Sequence, residues 1–329
     1  YAARFSPDGN FVVTASADKT ARLWDRRSGK LFLPPLPHEG EVVFAQFSPD
    51  GKWVVTASSD GTARLWSAET GQPLASLQHN DGVQVAQFSA DGRRVVTASL
   101  DGTARVWEAP TGRPLTEPLR HDGAVIFAQF DPDGERVVTG SADRAARVWD
   151  IRQPAAPRLL LRHQGFVKFT QFSPDGSLIV TASLDGTARV WDAENGTLLA
   201  TLQHEAGVEM AQFSPEGERV VTASRDKTAR VWEARTGHPI TQPLRHKDRV
   251  SFASFSPAGS HVVTASDDRT AQVWEASTGQ ASTEALRHNE LVDFAEFSPG
   301  GDLVITASAD ATARVWRLDH GGSLTEPLL

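Results

Sequence analysis

The sequence predicts an all-β protein, an eight-bladed β-propeller of four-stranded antiparallel blades, with seven blades plus one extra as the alternative. Three observations carry this. Trp recurs at positions 24, 66, 107, 149, 191, 232, 274 and 316, a spacing of 41 or 42 residues. A Phe followed by a turn recurs in step, as "FSPDG" at 5, 47 and 172 and as "FSADG", "FDPDG", "FSPEG", "FSPAG" and "FSPGG" in the other units. Each unit also reads as four short strands separated by turn residues, the fourth more polar than the rest, which is the pattern of one propeller blade.

The elements follow in order. The first strand, "VVFAQF" at 42–47, ends at "SPDG", where Pro presets the turn and Gly closes it. The second, "WVVTAS" at 53–58, is a nearly unbroken run of small and β-branched residues, as expected where both sheet faces are covered. The third is "TARLW" at 62–66. The fourth carries Pro, as in "QPLASLQ", "RPLTEPLR" and "HPITQPLR", and a residue that cannot donate to a ladder belongs at the outer edge. One domain over 1–329 results, with blades at approximately 1–37, 38–78, 79–120, 121–162, 163–203, 204–245, 246–287 and 288–329. The ninth Trp, Trp53, stands outside the register.

Composition narrows the function classes. The 329 residues are 40% hydrophobic and 22% charged, with no Cys and a net charge of −8. An acidic balance weighs against a nucleic-acid backbone as partner. No apolar run is long enough to span a membrane, and the absence of Cys excludes thiolate metal sites. The expectation is a cytoplasmic protein with no cofactor, metal or catalytic residue.

The string "H…V…FAQFSPDG…VVTAS.DGTARVWD" resembles the WD-repeat family of β-propellers, and the resemblance covers essentially the whole chain. The family's "WD" stands at Trp24-Asp25, Trp149-Asp150 and Trp191-Asp192; Ser, Glu or Arg follows Trp elsewhere. The Gly that usually precedes His is absent from every unit. The near-uniform repeats are similar to those of bacterial multidomain signalling proteins, and the resemblance implies a non-enzymatic scaffold or sensor that binds protein or peptide on its top face. Both ends fall inside the repeat, so the chain reads as a piece of a longer protein. Closure is then expected to rest on packing between blades 8 and 1.

Each unit holds a Thr, an Asp and a Trp, and seven hold a His, at spacings that imitate a hydrolase triad. The sets are Thr14, Asp18, Trp24; His38, Thr56, Asp60, Trp66; His79, Thr97, Asp101, Trp107; His121, Thr139, Asp143, Trp149; His163, Thr181, Asp185, Trp191; His204, Thr222, Asp226, Trp232; His246, Thr264, Asp268, Trp274; and His288, Thr306, Asp310, Trp316. A catalytic constellation is built once, in a cleft. Repeated copies suit a fastener in which indole N–H donates to Thr, Thr to imidazole, and imidazole to carboxylate. Arg two residues before Trp, replaced only by Gln272, reads as shared packing rather than an anion site.

Comparing the repeats with one another isolates three variable positions: the third and fifth residues after the loop His, and the residue before the turn Asp. Because His and Asp are expected to bond, all three belong to one rim. They are Tyr1 and Ala17; Glu41, Val43 and Ser59; Gly82, Gln84 and Leu100; Ala124, Ile126 and Ala142; Phe166, Lys168 and Leu184; Gly207, Glu209 and Arg225; Arg249, Ser251 and Asp267; Leu291, Asp293 and Ala309. An apolar arc (Leu100, Ile126, Phe166, Leu184) faces a charged arc (Glu209, Arg225, Arg249, Asp267, Asp293). Exposed apolar groups clustered at one rim mark a partner surface. The alternative, a small polar ligand such as a sugar in the central channel, requires convergent polar groups and aromatics at the axis, and no aromatic cluster there is legible.

Overall fold

The computed structural model describes residues 2–318 together with Leu324, Pro327 and Leu328. Eight antiparallel sheets follow one another along the chain, seven of four strands and one of three, each in simple sequential order. Blade 2 shows the plan: Val42–Phe47, Trp53–Ser58, Thr62–Ser67 and Pro73–Gln78 from the inside outward. In blade 8, Val292–Phe297, Leu303–Ser308 and Ala313–Arg317 form the sheet, and Leu328 bridges Ala313 where a fourth strand would stand. The eight-bladed reading therefore holds over the seven-plus-one alternative.

The one-residue variation in the repeat has a structural cause. The fourth strand runs unbroken for six residues in blades 2 and 5, at Pro73–Gln78 and Leu198–Gln203. Those blades contain the two shorter intervals, Trp66 to Trp107 and Trp191 to Trp232. In blades 1, 3, 6 and 7 the extra residue breaks the strand, leaving an isolated bridge such as Trp107↔Pro114 and a two-residue remnant such as Leu119–Arg120. The outermost strand tolerates this because its free edge faces water.

The core lies between blades rather than within them, because each sheet must bury both faces. Val13, Leu23 and Leu36 of blade 1 pack with Phe47, Val54 and Trp66 of blade 2. The same contact closes the ring. Ala3, Val12 and Trp24 of blade 1 pack with Phe294, Ile305 and Val315 of blade 8, and among the described residues the two sheets share no strand. Small residues make the approach close: Ala57 and Ala63 face each other across the second and third strands and are fully buried.

The turn between the second and third strands needs a left-handed residue after its Asp. Gly61 takes it at φ +83°, but Lys19, Arg144, Lys227, Arg269 and Ala311 hold it at +65 to +71°. A side chain in that region is strained by roughly 1–2 kcal/mol, partly offset by the entropy glycine loses. Arg269→Gly is expected to raise stability by about 0.5–1 kcal/mol in denaturant unfolding; a fall would mean the Arg269 side chain contributes contacts of its own.

Candidate functional site at the rim of the ring

The repeated polar sets come together in all seven blades that carry a loop His. In blade 5, Trp191 Nε1 donates to Thr181 Oγ1 at 2.9 Å, and Thr181 Oγ1 lies 2.7 Å from His163 Nε2. His163 Nδ1 lies 3.0 Å from Asp185 Oδ2. The other six sets repeat this geometry, with His Nδ1 to Asp distances of 2.7 to 3.1 Å. In blade 1 Trp24 donates to Thr14 at 2.9 Å, while Asp18 pairs with Arg22 at 2.7 Å. The imidazoles are sealed from solvent, their side chains at most 3% exposed.

Two further members escaped the sequence reading. The Thr two residues after each turn Asp donates both its N–H and its hydroxyl to one carboxylate oxygen, as Thr62 does to Asp60 at 2.9 and 2.6 Å. The Ser two residues before it accepts the Asp N–H, as Ser58 does at 3.1 Å. The pattern S-x-D-x-T is visible in the chain, as Ser58, Asp60 and Thr62 show. The residue after each loop His adds another donor, Glu39 N to Asp60 Oδ2 at 3.0 Å. Blade 4 departs: Ala145 replaces the Thr, and Arg147 contacts both His121 Nδ1 and Asp143 Oδ2.

Burial would raise the carboxyl pKa values, but these donors outweigh it. Asp60, Asp101 and Asp310 are held at about 2. Asp143, Asp185, Asp226 and Asp268 are held well below the usual range. Burial pulls His38, His79, His121, His163 and His288 below 6.5, against the opposing pull of their Asp partners. A neutral imidazole donating from Nδ1 and accepting at Nε2 satisfies every group of the set. Sealed from solvent and fully bonded, it presents nothing to a substrate.

The three variable positions lie beside these sets. The residue before each turn Asp donates its N–H to the carbonyl of the third residue after the His, in all seven blades, as Leu184 does to Phe166 at 2.9 Å. The fifth residue after the His stands where the pairing of the first and second strands shifts register: Val43, Gln84, Ile126, Lys168, Glu209, Ser251 and Asp293. A β-bulge re-aims its side chain and leaves it out of the ladder, so residue type there is free to vary. Tyr1 lies outside the described residues.

Around the rim, Phe166 is 50% and Leu100 40% exposed, while Ile126, Leu184, Val43 and Leu291 are half-buried. Leu184 leans on Gly207 of the next blade, where a Cβ would stand 3.1 Å from its Cδ2. Lys168 stands within this arc and forms no ion pair among the described residues. The charged arc is paired within itself. Arg225 Nε donates to Glu209 at 2.5 Å, and Arg249 donates to Asp267 at 2.9 Å and to Glu209 at 3.4 Å.

The axis corrects one expectation. Phe127 meets Phe169 at 4.3 Å between centroids, and Phe252 meets Phe294 at 4.4 Å, so aromatic pairs do stand between innermost strands. Their partners are a full repeat apart, which hid them. A cavity of about 660 Å³ opens at the end of the channel that carries the Ser-Pro turns. Gln46, Gln87, Gln129, Gln171 and Gln212 line it with Glu296. The Arg residues two before Trp serve structure: Arg64 and Arg189 donate to the carbonyls of Pro37 and Arg162, and Arg230 stacks over Trp232 at 5.7 Å.

The family model described as "WD domain, G-beta repeat" matches residues 1–25, 35–67, 71–108, 112–150, 157–192, 196–233, 237–275 and 283–317. Among solved structures, the chain is similar to a crystal structure of the computationally designed Ika8 protein. That likeness has 32% identity and a TM-score of 0.84, over 94% of this chain and 93% of that one. No curated protein matches.

Proposed function

The chain belongs to the WD40 family, whose propellers generally bind protein partners, and on that premise we propose that it recognises a protein or peptide at the rim carrying the seven bulges. The observation that supports this most is the apolar arc over blades 3–5, where Phe166 and Leu100 stand exposed and Lys168 forms no ion pair among the described residues. An aromatic and an aliphatic anchor ringed by polar groups is the composition of a binding hot spot. The ion pairs of blades 6 and 7 then act by steering and register rather than as free charges. No catalytic role is assigned. The reading extends to a recognition or sensor module within a larger bacterial signalling protein, supported by the resemblance of the repeats.

A peptide selected from a random display library against the whole chain tests the rim. Its affinity is expected to fall at least tenfold in Phe166→Ser and in Leu100→Ser, about 1.4 kcal/mol. Equal affinity in both variants would contradict the assignment. A second reading, a sugar-like polar ligand in the channel, is favoured by the five glutamines at its mouth, where Gln46 Oε1 and Gln129 Oε1 are buried without a hydrogen-bond partner among the described residues. Protection confined to that mouth in hydrogen exchange with added sugars would favour it over the rim.

A further inference from the structure

The first residue of the second strand governs how the groove between neighbouring blades is filled at the face opposite the bulges. Arg94, Arg136 and Arg219 stand there in blades 3, 4 and 6, and each crosses to the next blade. Their guanidiniums lie over Phe130, Phe172 and Phe255 at 5.8, 5.1 and 5.3 Å. Arg136 and Arg219 also donate to the carbonyls of Gly176 and Gly259, at 3.0 and 2.7 Å. These grooves are closed by a cation from within the chain.

Blades 1 and 2 carry Phe11 and Trp53 at this position instead. Phe11 packs on Phe32 of its own blade, at 4.6 Å between centroids and 51° between planes. Trp53 is the tryptophan that no threonine fastener uses. Between them a cleft of about 560 Å³ remains open, with Leu23 and Phe47 also in its lining. Phe32 is 44% exposed. Asp8, Asp50 and Glu69 also line the cleft, against a single cation, Lys52. Lys52 reaches Asp50 at 3.5 Å, and Glu69 forms no ion pair among the described residues. The groove between blades 5 and 6, where Leu178 stands, is open too but has aliphatic Ile240 and Pro239 in place of the aromatics.

We propose that the cleft between blades 1 and 2 binds a peptide segment in which an apolar residue neighbours an arginine or lysine. Its volume lies in the range of small-ligand pockets. Aromatic faces take both aliphatic side chains and cations, and three carboxylates against one ammonium leave the site negative. An incoming cation thus supplies what Arg94, Arg136 and Arg219 supply elsewhere in the ring. The cleft is distinct from the rim, so a partner held there leaves the bulges free.

The test uses the whole chain and the probe acetyl-Leu-Arg-Leu-Arg-amide, followed by calorimetry and by Trp53 fluorescence against Trp53→Phe. Saturable binding is expected, weakened at least tenfold in Phe11→Arg, weakened severalfold in Glu69→Lys, and unchanged in Phe166→Ser. Phe11→Arg installs the residue three other blades already carry, and an unchanged thermal midpoint shows that it folds. Absence of saturable binding to the wild type would overturn the proposal. So would equal affinity for acetyl-Leu-Glu-Leu-Glu-amide, equal affinity in Phe11→Arg, or a loss in Phe166→Ser.

Discussion

Asp185→Ala is expected to lower the unfolding free energy by about 3–5 kcal/mol, because several buried donors lose their acceptor at once. The Asp185 side chain is 6% exposed and accepts four hydrogen bonds. They come from His163 Nδ1 at 3.0 Å, Gln164 N at 2.8 Å, Thr187 N at 2.9 Å and Thr187 Oγ1 at 2.6 Å. Each donor left buried without an acceptor costs about 1–3 kcal/mol, reduced wherever water can enter. The loss reaches beyond the turn, because the carboxylate fixes the imidazole that holds Thr181 and through it Trp191. Asp185→Asn keeps two acceptor lone pairs and is expected to cost about half as much. Urea unfolding of both variants measures this. A stable Asp185→Ala protein would mean the set is not a fastener, and would reopen a chemical role for it.

Stability is expected to fall as the pH drops below about 6.5, and to fall again towards the acid limit. Burial holds His38, His79, His121, His163 and His288 below their ordinary value in the folded state. Between the folded and unfolded pKa values the unfolded chain therefore binds more protons, and unfolding is favoured as acid is added. Each such histidine contributes up to about 1.4 kcal/mol per pH unit over that interval, so five acting together make the decline steep. The carboxylates act later in the same direction, because Asp60, Asp101 and Asp310 must be protonated against values of about 2. Urea midpoints at pH 8, 7, 6 and 5 measure the first decline. Stability that rose from pH 7 to 6 would show that the Asp partners outweigh burial and that the imidazoles are charged when folded.

The architecture was legible in the sequence because it is periodic: Trp and a Phe followed by a turn recur in every unit, and apolar spacing separates the strands. The polar sets were legible for the same reason. What escaped depends on geometry between units. Phe127 and Phe169 touch between the innermost strands of adjacent blades although a whole repeat separates them in the chain. The self-pairing of Arg225, Arg249, Glu209 and Asp267 depends on side chains reaching across two blades. The bulge at Lys168 and its equivalents leaves no residue-type signal, since its effect is to relax the requirement at that position. Variability among the repeats located those positions without disclosing the bulge that permits it. Trp53 was seen to be out of register, but its neighbours Phe11 and Phe32 belong to the preceding unit, and only the folded ring brings the three to one cleft.

The central claim is that the repeated imidazoles are internal fasteners, leaving recognition to the side chains around them. Nitrogen-15 NMR of the imidazole rings tests it most directly. Seven Nδ1–H resonances exchanging slowly with water at pH 7, each coupled across its hydrogen bond to the turn Asp, are the predicted result. Rings whose Nδ1 protons exchange as freely as those of an unfolded chain would contradict it.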